Sequence, residues 1–164
     1  MKLIAAAIGL GLCLFTLAGR AAENPLVGTG KLKSYVWTTT EGKISSVFGE
    51  HPTGYLSYSA DGRMYAMGTA EGRRVPHDIV PSDAERLELY KTMFAYAGTY
   101  SVEPDKVVHH IDNSWNQIWN GTDQIRFYKL AGNTLTNTSA RARSPYDGQD
   151  GQFVLVWEKV KEAR

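Results

Sequence analysis

Tyr55-Leu56-Ser57-Tyr58-Ser59-Ala60-Asp61-Gly62-Arg63-Met64-Tyr65-Ala66-Met67 is a pair of short runs, rich in aromatic and apolar residues, joined through an Asp-Gly dipeptide. Asp-Gly between two such runs is a strong hairpin signal, because the glycine supplies the positive φ that a tight turn demands. His51-Pro52-Thr53-Gly54 marks the entry to the hairpin, and the polar loop Glu71-Gly72-Arg73-Arg74 follows its second arm. The chain here folds back on itself within a few residues, as an antiparallel sheet does.

The same punctuation recurs on both sides. Leu26 to Thr38 carries Leu26, Leu32 and Val36 on one parity and Lys31 and Lys33 on the other, so one face is expected to be buried. A turn at Glu41-Gly42-Lys43 ends that run. Downstream come Tyr100 to Val102, a turn at Pro104-Asp105, a long stretch from Lys106 to Trp119, and Gln124 to Leu130. Ala131-Gly132-Asn133 turns into Thr134 to Thr138, and a loop from Arg141 to Gly151 precedes the last run, Phe153 to Val160. Short β-type runs at such spacing read as one all-β unit of about eight or nine strands.

One helix interrupts them. Pro81-Ser82-Asp83-Ala84-Glu85 contains a capping box, with Ser82 placed to accept from the first turn and Glu85 to reach back to the cap. Leu87, Tyr90, Phe94 and Ala97 recur at helical spacing, and Gly98 stands where a left-handed residue ends a helix. A helix over residues 83–97 is expected, lying across an opening or flank. So many antiparallel strands in one small chain are most readily arranged as a closed up-and-down barrel, since closure removes exposed edges. A β-sandwich is the competing architecture.

Six segments in order resemble the bacterial and fungal lipocalin-like domain family: Leu26-Val27-Gly28-Thr29, Gly54-Tyr55-Leu56-Ser57-Tyr58, Asp61-Gly62-Arg63-Met64, Tyr96-Ala97-Gly98-Thr99-Tyr100, His109-His110 and Trp119-Asn120-Gly121-Thr122. The resemblance implies a calycin-type, cup-like barrel with an apolar interior, in a group that holds both carriers and cofactor-free enzymes. The chain departs from the family pattern at Gly30, where a tryptophan usually helps close the barrel floor; Trp37 and Trp157 are the candidates to replace it.

Lys2 followed by an apolar run from Leu3 to Leu17 and then small residues reads as a secretory signal peptide. Cleavage after Ala21 gives a leader of residues 1–21 and a domain of residues 22–164. The run of about 15 residues is short of the roughly 20 that span a bilayer, so no stable membrane anchor is expected, and the mature chain is assigned to the periplasm or the exterior. Cys13, the single cysteine, leaves with the leader. No thiol then remains for a disulfide, a nucleophile or a metal site.

The full chain's 18 basic and 17 acidic residues become 16 and 17 once Lys2 and Arg20 are removed. Near-zero charge with scattered basic residues excludes nucleic acid as a partner. No nucleophile elbow, phosphate-binding loop or dinucleotide fingerprint occurs in its required strand-to-helix context, which sets aside hydrolase and nucleotide-binding chemistry, and no cofactor is expected. The histidines His51, His77, His109 and His110 lack metal-ligand spacing, and His109 and His110 point to opposite faces of one strand.

The sites that remain are pocket walls. On the Lys106 to Trp119 stretch, Val107, His109, Ile111, Asn113, Trp115 and Trp119 share a parity. An inward histidine can hydrogen-bond a ligand or move a proton, although it most simply satisfies its ring nitrogens with neighbouring side chains. Tyr58, Tyr65, His109, Asn113, Trp115 and Trp119 are therefore the expected ligand contacts, with the aromatics as walls and His109 and Asn113 giving polar orientation. Arg126 has the fork to grip a carboxylate, and it equally fits the solvent face if Ile125 and Phe127 form the buried parity; the solvent reading is preferred. The expected function is noncovalent binding of a small hydrophobic or amphipathic molecule. The alternatives are a cofactor-free isomerase, cyclase or lyase with His109 as its first catalytic candidate, and an envelope interaction protein whose barrel is packed solid.

Overall fold

The computed structural model describes residues 24–143 and 148–161, so the leader assigned to residues 1–21 lies outside the described residues. Ten strands form: β1 (Gly28–Thr39), β2 (Ile44–Ser46), β3 (Thr53–Tyr58), β4 (Arg63–Thr69), β5 (Met93–Val102), β6 (Lys106–Ser114), β7 (Asp123–Ala131), β8 (Thr134–Ser139), β9 (Ala142–Arg143) and β10 (Asp150–Lys159). The order β1-β3-β4-β5-β6-β7-β8-β10 closes through antiparallel pairing of β10 with β1, giving an eight-stranded up-and-down barrel. The short β2 and β9 extend it beside β1 and β10. The barrel, not the sandwich, is the architecture.

The opening hairpin has the register its residues require: Tyr58 faces Met64, and Gly62 carries the positive φ, 84°. Asp61 does not, so the turn relies on the glycine alone. Leu56, Tyr58, Met64 and Ala66 are buried, and Tyr55, Tyr65 and Met67 are exposed.

Two bulges reset the alternation elsewhere. Between Leu32 and Ser34 the β1–β10 register slips by one residue. Leu32, Tyr35 and Trp37 therefore face in, and Val36, expected on the buried parity, does not. Between Gly98 and Ala97 the β5–β6 register slips likewise: Gly98 faces Ile111, whereas Ala97 faces Asn113. An extra residue on one strand turns every later side chain to the other face.

The helix, α1 (Asp83–Lys91), has the expected capping box, with both the Ser82 and Glu85 contacts formed. It ends at Thr92, well short of residue 97. From Met93 the large residues Phe94, Tyr96 and Tyr100 alternate with Ala95, Ala97 and Thr99, and the segment pairs with β4 on one edge and β6 on the other. Two complete hydrogen-bond ladders outweigh a local helical periodicity. Gly98, expected as the helix cap, lies in mid-strand, where a Cβ would come within 1.9 Å of the His110 carbonyl oxygen. No residue of α1 is buried. The helix is tethered at the barrel end that carries the long loops: Arg73 donates to Thr92 Oγ1 and to the Leu89 carbonyl, and the Trp115 indole donates to the Tyr90 carbonyl at 3.1 Å.

At the opposite end the hairpins are short, and the segment before β1 crosses it. Leu26 is buried there, and Asn24 Nδ2 donates to the Tyr100 hydroxyl at 3.0 Å.

Candidate functional site

Inside the barrel three polar side chains meet. His109 on β6 is 1% exposed, and each ring nitrogen faces a phenol: Nε2 stands 2.7 Å from the Tyr58 hydroxyl and Nδ1 stands 3.2 Å from the Tyr96 hydroxyl. A neutral imidazole has one donor and one acceptor, so one tyrosine donates to it and the other accepts. Burial drives the His109 pKa well below the usual histidine range, with the charges of Arg126 and His110 pushing the same way. Burial likewise drives the Tyr58 phenol far above the ordinary tyrosine value, aided by neighbouring Tyr96. Both groups are therefore uncharged at neutral pH. His109 is placed inward, as expected, but its ring nitrogens are already occupied.

Asn137 on β8, also buried, lies beside Tyr58 and acts on its phenol against the upward push of burial. Its Oδ1 has no hydrogen-bond partner among the described residues. Facing strand β7 differs from expectation: Ile125 and Phe127 are exposed at 36% and 44%, while Gln124, Arg126 and Tyr128 are half-buried. Arg126 pairs with Val107 and Ser139, both buried, and Gln124 pairs with His109. Arg126 therefore faces in. The two exposed apolar residues misled the parity, because isolated apolar side chains on an outer barrel face are common.

Two expected contacts are corrected. Tyr65 is 47% exposed on the outer face, since it pairs with Ser57 whereas Tyr58 pairs with Met64. The hairpin register forbids Tyr58 and Tyr65 from sharing a face. Asn113 is exposed because the bulge beside Gly98 sets it opposite Ala97, and Ser114, opposite inward Tyr96, takes its place. Trp115 and Trp119 lie beyond the end of β6, with Trp119 closing a turn of 3-10 helix at Gln117–Trp119. Both pack against the core, and Trp119 meets Tyr96 edge-on at 5.8 Å between ring centres. Tyr58, Tyr96, His109, Trp119, Arg126 and Asn137 thus form the inward set. Tyr96 and Asn137 were not anticipated, and Arg126 was expected on the solvent face. The large residue alternation Phe94, Tyr96, Tyr100 could have revealed Tyr96.

Beside this set the barrel is dense. Tyr35 packs against Phe48, Phe94 and Phe153 at 5.0, 5.6 and 5.3 Å between ring centres, and Trp37 lies 4.5 Å from Phe153. At the floor, a Cβ on Gly30 would meet the Trp157 side chain at 2.9 Å, so Trp157 occupies the space beside Gly30. Trp37 instead packs near Gly151, toward the other end of β1. A cleft of about 30 Å³ lies between Leu26, Leu56, Tyr58, Leu135 and Trp157. That volume holds about two water molecules.

No curated protein sequence matches this chain. The family model of the lipocalin-like domain matches residues 27–160, from the start of the barrel to the end of its last strand. The chain therefore belongs to the lipocalin-like domain family.

Proposed function

We propose that the mature chain is an exported binding protein that takes a small hydrophobic or amphipathic molecule into the barrel beside β6, β7 and β8. The observation that carries this reading is Asn137 Oδ1, a buried acceptor without a partner on the same inner surface as half-buried Trp119, Gln124 and Arg126. A buried acceptor left unpaired costs about 1–3 kcal/mol, and a ligand that donates to it recovers that cost. Export rests on the apolar leader in the sequence. Binding is favoured over proton transfer because His109 is held between two tyrosines and presents no free nitrogen.

The dense cluster of Tyr35, Phe48, Phe94 and Phe153 favours the solid barrel as a second reading. Native mass spectrometry and organic extraction of the mature protein, purified from the envelope fraction of its host, separate the two. A stoichiometric copurified small molecule supports the container. A ligand-free protein that also fails to take up an environment-sensitive apolar dye overturns it in favour of the solid barrel.

A further inference from the structure

The eight barrel strands sort their charges almost completely to the outside. Their carboxylates are Asp112, Asp123, Asp150 and Glu158. Asp112 pairs with Arg63 at 2.9 Å, Asp123 with His110 at 2.7 Å and Glu158 with Lys33 at 3.1 Å, while Asp150 is exposed. Lys31, Lys129 and Lys159 are exposed, and Lys106 pairs with Glu103 at 3.0 Å. Arg126 alone, among the lysines and arginines of these strands, shares the inner face with Val107, His109 and Ser139.

The partners of Arg126 are neutral. Nη1 donates to the Ile125 carbonyl at 3.0 Å, and Nη2 donates to Gln124 Oε1. A guanidinium has five N–H donors in a planar fork, so donors remain after these two contacts. No carboxylate among the described residues answers its charge. The register sets Arg126 beside the buried polar set, and its charge acts on Tyr58 and His109. A partly desolvated cation without a counter-ion is unfavourable, and the group that best complements a guanidinium fork is a carboxylate, held by two parallel hydrogen bonds.

We infer that the barrel selects a carboxylate-bearing amphiphile, with the headgroup held by Arg126 on the inner face of β7 and the apolar body lying toward Leu135 and the floor cleft. This rests on the reading that the barrel interior takes a small amphipathic molecule, and deepens it by naming the ligand's charged group. Gln124 positions the guanidinium through its side-chain oxygen.

The test is calorimetric titration of the mature protein, at neutral pH and low salt, with decanoate and with decan-1-ol, which share an apolar body and differ in charge. Wild type should bind decanoate at least about tenfold more tightly, the ratio expected of a charge-assisted bidentate contact. Arg126→Gln should bind the two probes alike, having lost the preference for decanoate. Arg126→Lys, which retains charge without the fork, should fall between them. Removing a cation that has no ionic partner should also leave the unfolding midpoint of Arg126→Gln at or above that of wild type.

Equal binding of both probes by wild type overturns the inference and leaves the container reading standing. Binding of neither overturns both. A large loss of stability in Arg126→Gln and Arg126→Lys alike shows that the arginine serves the fold, and also overturns the inference.

Discussion

Tyr58 and His109 are joined at 2.7 Å although they stand on β3 and β6, strands separated by β4 and β5 in the sheet order. The bond therefore crosses the inside of the barrel and pins two walls that share no ladder. With Tyr96 on the other ring nitrogen, it fixes the orientation of the imidazole from both sides.

Tyr58→Phe leaves the buried His109 Nε2 without its partner. The expected cost is about 1–3 kcal/mol, the desolvation cost of orphaned polar groups. Tyr96→Phe should cost less, because its contact is longer, at 3.2 Å. Urea unfolding followed by tryptophan fluorescence measures both, and equal or negligible losses would remove the network from the account of stability.

Acid should act through His109. Its folded pKa is depressed well below the reference value of 6.5, so the unfolded chain binds a proton that the folded chain refuses. The stabilisation is complete above about pH 6.5 and is lost as pH falls from there toward the folded value, at up to about 1.4 kcal/mol per pH unit. The unfolding midpoint of wild type should therefore fall between pH 7 and pH 5 more steeply than that of His109→Gln, which cannot take up this proton. Parallel profiles for the two proteins would contradict a buried neutral histidine.

Gly98→Ala probes the bulge. A methyl group there meets the His110 carbonyl oxygen at 1.9 Å, and the backbone has to move to admit it. The expected loss exceeds about 3 kcal/mol, at the upper end of overpacking effects. Thermal unfolding checks it, and a change below about 1 kcal/mol would show that the β5–β6 approach is looser than described.

Legibility in the sequence followed the range of each interaction. Asp61-Gly62 and the Ser82/Glu85 capping box act within a few residues, and both appear where they were read. Barrel closure was accessible because many short strands in one chain need their edges covered. Residues that depend on long-range register were not. The slips beside Lys33 and Asp112 carry no local mark, yet they moved Val36 and Asn113 to the outer face. Arg126 was hidden because its exposed neighbours Ile125 and Phe127 imitate a buried pair. The end of α1 was concealed by the coincidence that Leu87, Tyr90, Phe94 and Ala97 match a helical period, although the strand alternation from Phe94 to Tyr100 was present in the same residues.

Entry of a small molecule into the barrel is tested most directly by side-chain NMR. The ¹⁵N-labelled mature protein is titrated with decanoate and, separately, with decan-1-ol, while the side-chain N–H signals of Arg126, Trp119 and Asn137 and the backbone amides of Tyr55 and Tyr65 are followed. The expected result, for at least one of the two probes, is saturable one-to-one movement of the three inner signals with the outer-face amides still. Inner signals that stay fixed under both probes, or movement confined to Tyr55 and Tyr65, would contradict the claim and leave a barrel filled by its own side chains.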